Sequence, residues 1–365
     1  MSTENKVGLY IHVPFCAKKC PYCDFYSVSF GKKIARLYTD AVIRNIKSDR
    51  GSAEIDTIYF GGGTPSLLPV EYISNILKTI TENFTVHDAE ITIEINPKTV
   101  SPEKLLQLYN IGVNRLSIGV QSCVDNELKA LGRIHSFNDA KNTVLSAYKA
   151  GFRNISCDLM VGIIGQTMDS LSYSINQLCE MPINHVSAYI LKIEDNTDFN
   201  KQEIINSLPD EDLVSDMYLL MIEMLEKKGF AQYEISNFSK KGFESKHNLK
   251  YWKCLEYIGI GPSAHSYFNG KRTAVPDSLE DFIKYDRQIE IVTEENSTSF
   301  EEMAMLRLRL KEGLCLSDFK EHSERVISKA TPLEKAGLVK INNDTIVLTP
   351  KGFLISNAII AELIL

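Results

Sequence analysis

Six times in the first 230 residues a short apolar run gives way to an amphipathic segment, and no other feature restricts the fold so strongly. The runs occupy residues 8–13, 56–61, 90–96, 115–120, 154–161 and 185–191 and are rich in Val, Ile, Leu, Tyr and Phe. Most read as continuous rather than alternating, as expected of parallel strands buried on both faces. Between them apolar residues fall three and four apart: Ile34, Leu37 and Tyr38, Ala41 and Val42, and Ile46, then Val70, Ile73, Leu77 and Ile80. That spacing predicts helices with one face packed inward. Ser101-Pro102 reads as an N-cap followed by a first-turn proline, and Gly151 and Gly229 stand where helices should end. Six strand–helix units imply a parallel sheet with right-handed crossovers. An open doubly wound sheet and a partly closed (β/α)6 TIM-like barrel both satisfy this pattern. The motifs described below follow one strand after another at the C-terminal ends, which favours the barrel.

The alternation stops after Gly229. We therefore divide the chain into a barrel over residues 1–230, a closing region over 231–293 and a C-terminal domain over 294–365. In the last segment Thr331-Pro332 reads as a helix start and Gly337 as a stop. Two short strands there flank Asn342-Asn343-Asp344, and the tail from Leu354 reads as a packed terminal helix. Helices plus a hairpin suggest a winged-helix-like unit. Nine Lys and Arg against eleven Asp and Glu from Glu294 onward give it no basic face, so docking or a lid role is expected rather than DNA binding. The net charge of −7 likewise argues against broad nucleic-acid binding. The first residues, Met-Ser-Thr-Glu-Asn-Lys, lack the apolar region of a signal peptide, and no run is long enough to span a membrane. Eight cysteines in such a chain imply a reducing compartment without a disulfide framework.

Three of those cysteines, Cys16, Cys20 and Cys23, fall within eight residues just after the first strand. A tight loop gathers three thiolates at small entropic cost, which suits an iron–sulfur centre. Zinc is the alternative, but structural zinc wants a fourth ligand, and the remaining cysteines (Cys123, Cys157, Cys179, Cys254, Cys315) are scattered singly. His12 could complete a Cys3His set, although it lies within the strand. Gly61-Gly62-Gly63-Thr64-Pro65 follows the second strand, where glycines let backbone N–H groups approach a ligand. Glu94 ends the third strand. It either points into the barrel with a partner or faces solvent.

The framing Tyr10-Ile-His-Val-Pro-Phe-Cys16, with Tyr22 before Cys23, resembles the signature of the radical S-adenosylmethionine (SAM) enzymes, in particular the coproporphyrinogen dehydrogenase (HemN) branch. The resemblance implies a six-stranded partial barrel and a [4Fe–4S] cluster on Cys16, Cys20 and Cys23, with SAM on its open iron. It assigns SAM contacts to Tyr10, Tyr22, Gly62, Gly63, Thr64, Glu94, Gln121, Arg133 and Asp158. The stretch 162–167 departs from the family in having Ile164 for proline, which relaxes a backbone constraint without removing chemistry. Phe25 stands where the dehydrogenases have a fourth cysteine, and the chain starts close before the cysteine loop, without their long N-terminal extension. Both features point away from coproporphyrinogen oxidation.

His247-Asn-Leu-Lys-Tyr251-Trp252 is similar to the H-N-x-x-Y-W motif of the HemW-type haem chaperones. A neutral imidazole can ligate haem iron and aromatic rings can pack on a porphyrin. The alternative is a structural histidine packed beside the chain's one tryptophan, with His265 and Cys254 as rival ligands. The resemblance thus implies haem as cargo, held at His247, Tyr251 and Trp252. It also implies acceptors such as haem-requiring respiratory membrane enzymes, with bacterioferritin-type donors. Placement in the cytoplasm with peripheral membrane contact is expected, and a homodimer is compatible with it. A radical SAM dehydrogenase or HemN-like methyltransferase is the rival reading.

Overall fold

The computed structural model describes residues 6–48, 53–295 and 299–364. Met1–Asn5 and Leu365, at the outer ends of the first and last predicted domains, lie outside the described residues. The six predicted strands form and lie side by side in chain order, all parallel. They are β1 (Lys6–Val13), β2 (Glu54–Gly62), β3 (Thr85–Ile95), β4 (Arg115–Gln121), β5 (Asn154–Val161) and β6 (His185–Ile190). Crossover helices α1 (Lys32–Lys47), α2 (Val70–Asn83), α3 (Pro102–Asn110), α4 (Phe137–Ala150) and α5 (Met168–Glu180) intervene, and α6 (Glu211–Lys227) follows β6. The expected cap at α3 is present, with Ser101 Oγ accepting from the Lys104 N–H at 3.2 Å. Gly151 ends α4 in the left-handed region at φ 115°. The architecture is the partial (β/α)6 barrel.

The strands are not apolar on both faces, and this corrects the sequence reading. Leu9, Ile11 and Val13, Ile58 and Phe60, Ile93 and Ile95, Leu116 and Ile118, Cys157 and Leu159, and Val186 and Ala188 form the core shared with the helices. The residues between them point into the lumen, and most are polar or aromatic. The lattice registers them in slanting rows: Tyr10 beside Tyr59, Thr57 beside Glu90, Glu94 beside Ser117, and Asp158 beside Ser187. Tyr, Thr and Ser suit a strand on either face, so a run such as Leu9-Tyr10-Ile11 looks uniformly buried although its period is two.

The predicted closing region is split between the two edges of the barrel sheet. β7 (Ala231–Glu234) and β8 (Asn237–Ser239) form a hairpin on β6. β9 (Tyr257–Ile260) pairs parallel with β1, and β10 (His265–Phe268), β11 (Lys271–Ala274) and β12 (Ile291–Glu294) follow antiparallel outside it. Between these additions α7 (Lys246–Trp252), which carries the H-N-x-x-Y-W motif, lies across the floor of the barrel. Its first two N–H groups, on Lys246 and His247, donate to Glu90 Oε1 at 3.0 and 3.3 Å, a carboxylate at the positive end of the helix. Lys250 is buried, pairs with Asp56 at 2.8 Å and donates to the Lys6 carbonyl at 2.7 Å.

The C-terminal part contains α8 (Phe300–Arg307), α9 (Ser323–Lys335), the hairpin β13 (Val339–Asn342) and β14 (Thr345–Leu348), α10 (Pro350–Leu354) and α11 (Ser356–Ile364). Thr331-Pro332 does not start a helix. α9 begins at Ser323 and runs through Pro332, with Thr331 Oγ1 turned back onto the Ile327 carbonyl at 2.8 Å. Proline is tolerated because only the last turn follows it. Arg309 to Lys311 stitch this part to the barrel. The Ile235 N–H donates to the Arg309 carbonyl at 2.9 Å, and the Lys311 N–H to the Tyr233 carbonyl at 3.0 Å.

Candidate functional site

The C-terminal ends of β2 to β6 and the loop that follows β1 surround a cavity of about 360 Å³. Tyr22, Cys23, Gly62, Gly63, Thr64, Glu94, Gln121, Arg133 and Asp158 line it, so nearly every residue singled out for SAM converges there. Phe25, 66% exposed, stands at its mouth. Tyr10 is the exception. It lies deeper and lines a second cavity described below.

Gly62 and Gly63 are required by packing. Gly62 has φ 108°, and a Cβ there would lie 2.7 Å from the His12 ring. A Cβ on Gly63 would lie 2.7 Å from the Phe15 carbonyl oxygen. The loop therefore sits against the strand that leads into the cysteines. The Gly63 and Thr64 N–H groups donate to the Val13 and Phe15 carbonyls at 2.9 and 2.7 Å. Gln121 at the end of β4 has φ 72°, a backbone state that side-chain-bearing residues rarely occupy and that clusters at functional sites.

Two carboxyls face each other across the lumen. Glu94 accepts from the Tyr59 hydroxyl at 3.0 Å and the Gly62 N–H at 3.2 Å, which answers the open question about its direction: it points inward. Burial and then the Asp158 charge push its pKa up to about 8. Asp158 accepts from Ser117 Oγ at 3.2 Å, and burial raises it to about 6. Arg115, fully buried in the lumen below them, has Nε and Nη1 without a protein partner and draws both carboxyls partly back. Such a pair of desolvated acids is arranged to take a cationic or donor-rich ligand.

Cys16, Cys20 and Cys23 are partly buried and free. Thr64 Oγ1 donates to Cys16 Sγ at 3.6 Å, and Arg133 Nη1 lies 3.5 Å from both Cys20 Sγ and the Tyr22 hydroxyl. Arg133 Nη2 is fixed by the Gly119 carbonyl at 2.9 Å, leaving its buried Nε without a protein partner. Burial pushes the Cys23 thiol up, and the nearby Cys20 and Cys16 push it a little further. Among the described residues no three His, Cys, Asp or Glu side chains gather closely enough for a single metal ion. His12 does not join the cysteines. Its Nε2 donates to the Tyr26 carbonyl at 3.2 Å and its Nδ1 accepts from the Tyr10 hydroxyl at 3.1 Å.

Below the first cavity, and sharing Glu94 and Tyr189 with it, lies a second cavity of about 510 Å³. Tyr10, Tyr59, Tyr189, Tyr251 and Trp252 form its aromatic walls, with Glu234, Asn237, Asn248 and Arg309 supplying polar groups. Tyr251 and Trp252 thus stand where a flat ligand would meet them. His247 does not line this cavity. It is buried in the floor, with Nδ1 2.8 Å from Thr57 Oγ1 and Nε2 2.8 Å from the Tyr251 hydroxyl. Burial pulls its pKa down to about 3, so the ring is neutral, and neither nitrogen is free for iron. As an axial ligand His247 does not fit this geometry; it braces Tyr251 instead. Of its rivals, His265 is exposed on β10 and Cys254 is partly buried after α7, and neither lines the aromatic cavity. Sequence reasoning missed Tyr59, Tyr189 and Arg309, although the inward parity of β2 and β6 was a signal for the first two; the stretch 233–238, which contains Glu234, resembles the same subfamily as the H-N-x-x-Y-W motif.

A family model described as the radical SAM superfamily matches residues 10–178, and a second, the HemN C-terminal domain, matches residues 298–355. A protein named heme chaperone HemW from Bacillus subtilis is 35% identical over 96% of this chain and 97% of its own length. Its namesake from Escherichia coli is 39% identical over 71% of this chain and 69% of its own. Among solved structures the coproporphyrinogen III oxidase HemN of Escherichia coli superposes with a TM-score of 0.83 at 22% identity, covering 99% of this chain and 90% of that one, a likeness of fold.

Proposed function

Because the chain belongs to the HemW family of heme chaperones, we propose that it binds haem in the aromatic cavity and passes it to haem-requiring acceptors. We further propose that a [4Fe–4S] cluster and SAM occupy the upper cavity. The observation that carries the reading is the second cavity. A space of about 510 Å³ walled by five aromatic residues is in the size range of small-molecule sites and directly adjoins the upper cavity that Cys23 lines.

The residues of the upper cavity fit the proposed cofactors. Cys16 and Cys20 already receive donors from Thr64 and Arg133, as thiolates on a cluster would. The raised carboxyls of Glu94 and Asp158 suit an ammonium and ribose hydroxyls, and the unpartnered Nε of Arg133 suits a carboxylate. When bound, cluster and SAM would supply one-electron chemistry that no side chain here can supply. The protein's part is to hold the ligand between Glu94 and Arg133, to keep water from the lumen with Tyr22 and Met160, and to retain a proton on Glu94 until a cation arrives.

Acceptors of the respiratory membrane type, bacterioferritin-type donors, a cytoplasmic setting with peripheral membrane contact and a homodimer belong to the same proposal. Among the described residues no helix is long and apolar enough to cross a membrane. The test is anaerobic reconstitution, haem titration followed at the Soret band, and a porphyrinogen assay on the same sample. Stoichiometric haem binding without conversion of coproporphyrinogen III is expected, since Phe25 replaces a cysteine at the mouth. Turnover to protoporphyrinogen would overturn the chaperone reading in favour of the dehydrogenase.

A further inference from the structure

Arg309 is the one Lys or Arg among the described residues lining the aromatic cavity. It follows α8 and so belongs to the C-terminal part, yet its backbone is locked to the barrel edge by the Ile235 N–H at 2.9 Å. Its guanidinium lies 5.7 Å from the centre of the Trp252 ring, and Nη2 donates to Asn357 Oδ1 at 3.1 Å. Nε is buried and has no protein partner. Glu234, fully buried on the same wall, does not form an ion pair with it. Its Oε1 is held by Asn237 while its buried Oε2 has no protein partner, and burial pushes the carboxyl up to about 7 against the pull of the Arg309 charge. A permanent cation with an unused donor therefore stands at the edge of an aromatic slot whose other ionisable groups are reluctant to carry charge.

We propose that Arg309 anchors a carboxylate of the cargo, which makes the C-terminal part a component of the haem site rather than only an appendage. This rests on the proposal that haem occupies the aromatic cavity. The two propionates are the only ionised groups on the rim of that otherwise apolar macrocycle. Trp252 would take the ring beside them, while the guanidinium offers the planar donor fork that a carboxylate matches. The same contact would report an occupied cavity to the segment Arg309–Lys311 that joins the two parts of the chain.

The test compares haem with haem dimethyl ester, which keeps the ring and iron but lacks both charges, on the reconstituted full chain. Wild-type protein should prefer haem by about tenfold, as expected of a half-buried charge-assisted contact. Arg309→Met should bind haem only as well as the ester while leaving ester affinity unchanged, and Arg309→Lys should restore part of the preference. Equal affinity of the wild type for both ligands would overturn the proposal whether or not any variant folds. So would a preference that survives Arg309→Met, or an equal loss for both ligands, which would mark Arg309 as structural. A wild-type protein that binds neither ligand would instead remove the haem reading itself.

Discussion

Glu94 offers the most searching test of the upper cavity, because its state must change when a cation binds. Its carboxyl lies between the Tyr59 hydroxyl and the Gly62 N–H, faces Asp158, and has its pKa raised from 4.5 to about 8. The folded, empty protein therefore holds this proton more tightly than the unfolded chain does. Ionising Glu94 costs stability as pH rises from about 4.5 to about 8, and a bound ammonium offsets that cost. One pH unit below 8 corresponds to ~1.4 kcal/mol, or a tenfold loss of the ionised form. SAM affinity should thus rise about tenfold per unit from pH 6.5 towards 8 and then level off, releasing close to one proton per SAM at the acid end. Asp158, raised only to about 6, contributes little above pH 6.5. The amino group of SAM titrates near pH ~8 as well, so the measurement is a difference. Anaerobic titration calorimetry in buffers of unlike ionisation enthalpy counts the protons, with Glu94→Gln as reference. The slope shared by both proteins belongs to the ligand, and the excess in the wild type belongs to Glu94. Identical slopes, or SAM affinity unchanged in Glu94→Gln, would refute the assignment.

Replacing Cys16, Cys20 or Cys23 with Ala should abolish iron and sulfide binding while shifting the melting temperature little, since the loop lies outside the core strands. Iron that survives any one replacement, or stoichiometric zinc in anaerobically purified protein, would remove the cluster. His247→Ala should lose two buried hydrogen bonds and cost roughly 2–4 kcal/mol, read by thermal melts, while the bound-haem spectrum keeps its axial signature. A spectral change in that variant with an unaltered melt would restore the ligand role, with His265→Ala and Cys254→Ala as matched controls. Neutral His247, pulled down to about 3, also predicts stability that falls as pH drops from 6.5 towards 3, because the unfolded chain takes up the proton first. That part of the acid transition should be absent in His247→Ala.

The order of elements was legible because each strand–helix unit announces itself locally, through apolar spacing and caps such as Ser101 and Gly151. The lumen was not. Its residues come from six strands whose inward and outward positions look alike when the inward ones are Tyr, Thr and Ser. The motif residues around the upper cavity were readable because loops at one mouth carry them in chain order. Tyr59 and Arg309 have no motif, and only the closed sheet and the C-terminal stitch bring them together. His247 shows the opposite limit. The motif marks its position and supplies Tyr251 for Nε2, but whether Nδ1 is free depends on Thr57 in β2, which nothing near residue 247 in the sequence reveals.

The polar lumen ties these observations into one device. A barrel this small would ordinarily fill with side chains; here the rows thin out at Gly8, Gly61 and Gly119, and α7 stops the lower end. What remains is two cavities meeting at Glu94 and Tyr189. The helix that braces Tyr251 through His247 is itself capped by Glu90 of β3, the strand that ends in Glu94. A shift of β3 at Glu94 would reach the cap of α7 through Glu90 and, through His247, the Tyr251 side of the aromatic wall. Any such coupling would by linkage act equally in both directions, so a ligand that ordered the upper cavity would alter affinity in the aromatic cavity by the same factor as the reverse. If the proposed haem transfer takes place, release needs a second state of the aromatic cavity, and the wall shared at Glu94 and Tyr189 is where a ligand of the upper cavity would select it.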